Sequence, residues 1–363
     1  MKYSAALFLA ATIVTQPMLS NAEEFPKVSG YLSTSLNNKW RYKTENDTER
    51  NNLYIYLEPS VTVNFTDKFL LKGTITLDFI KDKYPSKNKF FNGEDIVTKD
   101  IYLQYDNGTY GGQIGRITAG FGRAWWATPG LGATELAEWY AIWDRWGVKG
   151  WTVLDGQQFG KVNTTLSAFY LDTTSLSGTL FRKRSEKEEW KGGAGNTGYP
   201  SSFSLSFNGY DIEKLSGFSW NVDFMLQDTT HRTVSGVSQT DFKDEYGIAI
   251  GMGQSNDLTD DLKSNFMMEY VMFDNQWGET DKKQSYFTIG EELVYGKWSA
   301  QAALTHSVSD SVGSTASKED LYTVSGGYKF TDNLSLKVGW QSYKTSTNTE
   351  ETIRAKIAHT IYF

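Results

Sequence analysis

Residues suited to bond-breaking chemistry are scarce in this sequence. It has no cysteine and three histidines, His231, His306 and His359, of which His231 falls in an expected loop and His359 in the last expected strand. No Ser-His-Asp arrangement and no metal-ligand spacing emerges, so the expectation is that the chain is not an enzyme and carries neither metal nor cofactor. Indole is concentrated instead. Residues 121–146 hold Trp125, Trp126, Trp139, Tyr140, Trp143 and Trp146, together with Glu135, Glu138 and Asp144. Gly122, Pro129, Gly130 and Gly132 interrupt the stretch too often for a strand, and its tryptophans are too many for an ordinary solvated loop. The aromatics either anchor the segment against a wall or offer flat apolar faces to sugar rings.

The segments on either side of this stretch alternate with period two, the signature of strands with one apolar and one polar face. They are expected near residues 27–41, 51–65, 69–79, 96–105, 109–122, 147–154, 161–171, 203–207 and 218–227, then 245–254, 262–273, 284–295, 298–308, 320–330, 334–343 and 352–363. In the second, Leu53, Ile55, Leu57, Val61 and Val63 oppose Tyr54, Tyr56, Glu58, Ser60, Thr62 and Asn64. The third sets Phe69, Leu71, Ile75, Leu77 and Phe79 against Lys72, Thr74, Thr76 and Asp78. Tight turns such as Asp106-Asn107-Gly108 alternate with longer loops, including a lysine-rich one over 81–94 and a charged one over 172–200 that contains Arg182 and Lys183.

The polar face is too rich in Ser, Thr, Asn, Asp and Lys for a packed interior, because each such group buried without a partner costs free energy. A hollow, water-filled cylinder accommodates it. The fold expected is therefore all-β, a transmembrane antiparallel β-barrel of about sixteen strands with short periplasmic turns, long extracellular loops and the third long loop folded into the lumen. Mean hydropathy of −0.47 does not oppose this, since only every second strand residue meets lipid. Aromatics near strand ends, Trp40, Phe65, Trp298, Phe330, Trp340 and Tyr362, suit the two interfacial girdles. A charged start, an apolar run over 5–14 and Ser20-Asn21-Ala22 read as a secretory leader over 1–22, followed by a single barrel over 23–363. The formal charge of −7, one unit more negative once Lys2 leaves with the leader, argues against nucleic acid as a partner.

The closing segment, with Ile353, Ile357 and Ile361 leading to Phe363, resembles the C-terminal assembly signal of Gram-negative outer-membrane barrels, with Ala358 where many such signals carry Gly. Gly115-Arg116 leading through Phe121-Gly122 into the third long loop resembles the Gram-negative outer-membrane porin family. The acidic Pro-Glu-Phe-Gly-Gly core of that family's constriction loops is absent. The resemblance implies a homotrimer in outer-membrane lipid that passes small hydrophilic solutes and ions by diffusion. It also implies that Glu135, Glu138 and Asp144 supply acidic groups from the inserted loop, facing Lys72, Arg116, Arg354 and Lys356 on the basic wall. A carbohydrate-preferring channel, or a surface adhesin using the 172–200 loop, are the alternatives. A TonB-dependent transporter is not expected, since the first strand begins almost at the leader and leaves no plug.

Overall fold

The computed structural model describes residues 25–363 except 46, 81–86, 182–183, 231, 235–236, 240–241, 312 and 314, with backbone alone at 232–234 and 237–239. The expected leader, Arg182, Lys183 and His231 lie outside the described residues, as does part of the lysine-rich loop.

Eight strands form the first half of a ring: β1 (Lys27–Thr44), β2 (Arg50–Asn64), β3 (Phe69–Phe79), β4 (Glu94–Asp106), β5 (Tyr110–Ile117), β6 (Arg145–Asp155), β7 (Lys161–Leu171) and β8 (Ser202–Tyr210). Eight more complete it: β9 (Phe218–Gln227), β10 (Glu245–Asp257), β11 (Leu262–Asp274), β12 (Lys282–Tyr295), β13 (Trp298–Ser311), β14 (Ser317–Lys329), β15 (Leu334–Thr345) and β16 (Thr349–Tyr362). Each pairs antiparallel with its neighbour in sequence. β16 pairs back onto β1, from Tyr31 opposite Tyr362 to Thr44 opposite Glu350, so no edge remains. The Gly30 amide donates to the Phe363 carbonyl at 2.8 Å and completes the seam. A two-residue strand at Lys89–Phe90 lies parallel to Asn52 and Leu53, a seventeenth member of the sheet outside the ring.

The distribution of polarity is the reverse of a water-soluble sheet protein. Leu36, Ile55, Ile114, Leu166, Ile250, Val324, Val338 and Ile357 point outward and are 38–58% exposed, whereas Ser60, Thr76, Asn221, Thr288 and Thr305 point inward and are at most 1% exposed. Large apolar side chains gain about 1.5–3 kcal/mol each when they leave water, so an outward band of this kind is stable only against hydrocarbon. No helix among the described residues is long and apolar enough to cross a membrane; the crossing is made by strands, whose backbone groups are paired all round the ring. Trp40, Phe65, Trp298, Phe330, Trp340 and Tyr362 are all exposed.

Connections on one end are short, over 65–68, 107–109, 156–160, 211–217, 258–261, 296–297 and 330–333, and most on the other end are longer. The last one is tighter than the sequence pattern suggests, only residues 346–348. β5 also stops earlier than expected, at Ile117, because the next amides leave the ladder: Ala119 donates to the Ile142 carbonyl at 2.9 Å and Gly122 to Asp223 at 2.9 Å. Residues 118–144 therefore form the inserted segment, and Trp146 belongs to β6.

Candidate functional site

The inserted segment is fastened inside the ring by side chains that interrupt the polar lining. Met225, Ala249, Met267, Val271, Phe273, Tyr286 and Leu321 face inward and form an apolar cluster with Phe121, Leu136, Tyr140 and Ile142 of the segment. Two buried carboxylates, Glu269 and Asp223, sit beside this cluster. Glu269 of β11 accepts the backbone amides of Arg123 at 2.6 Å and Ala124 at 2.9 Å, and the Tyr140 hydroxyl at 2.7 Å. Gly122 has φ +66, and a Cβ there would lie 2.9 Å from the Tyr140 ring and 3.2 Å from Glu269, so both backbone and space demand glycine. The chain then makes a short helix, Ala124–Ala127, and crosses the bore. The Leu131 amide donates to Ser325 Oγ at 3.1 Å. Gly132, at φ +83, passes beneath the Arg354 guanidinium, 2.6 Å from where its Cβ would be.

The far end of the segment is tied by charge. Lys39 Nζ donates to both Glu135 oxygens at 3.0 and 3.2 Å, Gln341 donates at 2.9 Å, and Arg354 donates to both Glu135 and Gln341. Burial would raise the Glu135 pKa, but Arg354, Lys39 and these hydrogen bonds outweigh it and hold the carboxyl well below the usual carboxylate range. Three residues on, Glu138 accepts from Thr134 at 2.7 Å and makes no ion pair among the described residues. Burial, with Glu135 and Asp78 nearby, pushes its pKa up. Two carboxylates one turn apart thus have opposite environments.

At the root of the segment, Arg116 is completely buried. Its Nε donates to Asp172 at 2.7 Å, it pairs with Asp144 at 2.9 Å, and it donates to the carbonyls of Thr98 and Lys99. Trp146 Nε1 adds a bond to Asp172 at 3.1 Å. Arg116 and Asp144 are therefore spent on each other and on Asp172, clamping the ends of β5, β6 and β7, and Arg354 reaches Glu135 directly instead of facing it across water. Lys72 and Lys356 do point into the lumen. Lys356 stands opposite Lys337 in the β15–β16 register with Asp78 and Glu58 in electrostatic reach, and Lys72 lies near Asp100.

The aromatics divide into two sets. Tyr140 is packed with Phe121, Phe273 and Tyr286, and Trp125 donates to the carbonyls of Phe121 and Gly122 while lying edge-on to Trp143, 5.5 Å between centroids. Trp126 and Trp139 are 65% and 53% exposed, and Trp139 sits 5.8 Å from Trp277 of the 275–281 loop. Sequence reading passed over Lys39, Asp223, Glu269 and Gln341. Glu269 was detectable: residues 266–273, Phe-Met-Met-Glu-Tyr-Val-Met-Phe, are apolar on both faces of one strand except at that carboxylate. Lys99, which pairs with Glu58 at 2.7 Å, sits by a register shift between Gly73 and Ile75 that blurs its parity.

No protein-family model and no curated protein sequence matches the chain. Solved structures do. OprB of Pseudomonas putida superposes with a TM-score of 0.63 at 8% identity over 92% of this chain and 94% of that one. The anion-selective porin of Comamonas acidovorans gives 0.54 at 12% identity, covering 92% and 99%. OmpT, an outer-membrane protein of Vibrio cholerae, in its trimer form gives 0.51 at 10% identity, covering 93% and 99%. At such identities the likeness is one of fold: this chain has the closed sixteen-stranded barrel of Gram-negative outer-membrane channels.

Proposed function

We propose that this chain, built as an outer-membrane porin is built, forms a water-filled channel for passive diffusion of small hydrophilic solutes and ions. The observation that carries the reading is the combination of a polar lumen with a segment, 118–144, tethered across it at Glu135 and Glu269. Glu138 supplies the unpaired acidic charge of the narrowed passage, and Lys72 and Lys356 supply basic charge on the opposing wall. Opposed charges across a narrow opening orient water and favour polar over apolar solutes. In this reading Glu135 and Arg354 set the position of the segment, Arg116 and Asp144 secure its root, and the exposed indoles meet the passing solute.

Purified protein in planar bilayers should show stepwise conductance, and salt-gradient reversal potentials should report its ion preference. Deletion of residues 130–141 should raise the conductance and weaken that preference. A barrel that conducts identically with and without those residues would remove the constriction from this reading, and one that never conducts would leave a surface-recognition role instead. By analogy with the trimer form of the Vibrio cholerae protein, the working assembly is proposed to be a homotrimer, which chemical cross-linking in native membranes would reveal as a ladder ending at three chains.

A further inference from the structure

A second site lies on the periplasmic side of the inserted segment. Between its first leg and the inward faces of β4 to β8 is a recess of about 420 Å³, within the ~300–1,000 Å³ of small-ligand pockets. Its lining combines indoles and amides with two cationic side chains, Arg123 and Lys149. Trp125, Trp126 and Trp151 present indoles; Gln104, Gln113 and Asn208 present amides. We infer that this recess is a saccharide subsite, an inference that rests on the channel reading and names its solute class.

The arrangement is built in advance of any ligand. Trp151 lies over Gly111, where an ideal Cβ would be 2.4 Å from the ring, so the indole is spread against bare backbone. Gln113 donates to Gln104 at 2.7 Å, Asn208 to Ser206 at 2.9 Å, and Lys149 to the Thr118 carbonyl at 3.2 Å. Asn163, also in the lining, keeps a buried Oδ1 with no protein donor. No carboxylate lines the recess among the described residues. A sugar ring has an apolar C–H face and a rim of hydroxyls that both donate and accept, and this lining matches each: indoles for the face, amides for the rim. A simple cation would meet Arg123 and Lys149 with no carboxylate beside it, and a simple anion would leave the indoles unused. An apolar solute would leave the amides unsatisfied, at a cost that discriminates against it.

The extracellular side of the segment carries a comparable feature. Trp139 and Trp277 stand 5.8 Å apart at the mouth, with Lys282 Nζ 4.1 Å from the Trp277 ring. A saccharide therefore meets exposed indoles before and after the narrowing. A larger hollow, about 680 Å³, opens on the outside of the barrel beside Ile289, Leu304, Val324 and Trp340; its apolar lining belongs to the lipid-facing band.

The test is conductance of the purified protein in planar bilayers titrated with maltose and, as a size control, tetraethylene glycol. Maltose should reduce the ion current saturably and the glycol should not. Trp126→Ala and Trp151→Ala should each raise the half-saturating maltose concentration at least about fivefold, as truncating an aromatic anchor does, and Gln113→Leu should do the same without removing an aromatic. Trp298→Phe, on the outward face, should leave the half-saturation unchanged. A conducting protein whose current ignores maltose, or responds equally to both solutes, overturns the subsite and leaves the channel standing. Protein that does not conduct overturns the channel, and then tryptophan fluorescence of the same detergent-purified chain decides the subsite: no saturable change with maltose rejects it.

Discussion

Glu135 and Glu138 share a segment and a chemistry but not a role, and the difference is in what surrounds each. Glu135 is met by two cations and an amide, so its charge is used up in holding the crossing in place. Its side chain is 39% exposed, and water screening limits the tether to about 1 kcal/mol. Because its pKa is depressed in the folded state, the contribution is complete above the ordinary glutamate range and is lost only when pH falls well below that range. Glu135→Gln should therefore loosen the crossing at all working pH, seen as extra noise and sublevels in single-channel records. Glu138 has the opposite sign. Its pKa is raised by burial and by Glu135 and Asp78, so as pH falls it takes up a proton before an ordinary glutamate would. The cation-to-anion permeability ratio read from reversal potentials should drop across that step, and Glu138→Gln should show the lower ratio at every pH with the step gone. A wild-type preference that is flat from neutral pH to below the ordinary glutamate range would show that Glu138 does not face the permeating ions.

The inserted segment behaves as an element with three fastenings, and each can be cut separately. Arg116 at the root is wholly buried with Asp172, so Arg116→Ala strands a carboxylate and two carbonyls and should cost about 3–5 kcal/mol, measured as a fall in thermal unfolding temperature. Arg116→Lys should recover little of it, since an ammonium cannot reproduce the forked contacts. Glu269 in the middle satisfies two amides and a hydroxyl. Glu269→Leu leaves these donors unpaired at about 1–3 kcal/mol each, and should disorder the crossing while the barrel persists. Protease cleavage confined to residues 118–144 would register that outcome; a variant as resistant as the wild type would mean that the apolar packing of Phe121 and Tyr140 suffices.

The whole molecule is a ring with its polar face enclosed and its apolar face turned out, and the surrounding solvent decides whether that is stable. A charge placed outward should be tolerated poorly and one placed inward well. Val324→Lys on the outward face of β14 should cost ~2–4 kcal/mol near the bilayer midplane and reduce the yield of folded barrel, whereas Thr62→Lys on the lumen face of β2 should assemble normally. Heat-modifiable migration on gels would separate the two. Equal assembly of both variants would contradict the outward band as the lipid contact.

The alternation of residues along the chain was enough to place all sixteen strands, fifteen of them within about three residues of their observed limits and the fifth running five residues too far, because a side-chain period of two is a local property and the two faces meet different solvents. Lys72 and Lys356 could be aimed into the lumen by parity alone for the same reason. The indoles and carboxylates of 121–146 also marked the segment as special. Their partners were not legible. Arg116 and Asp144 lie 28 positions apart yet clamp each other, Glu135 meets Arg354 across 219 positions, and Glu269 holds an amide 146 residues before it. Such contacts depend on the ring being closed and on how far the segment reaches across it, and neither quantity is carried by any one stretch of sequence. The two exposed faces of the segment, and the recess beneath it, come into being only when walls that are distant along the chain are brought around it.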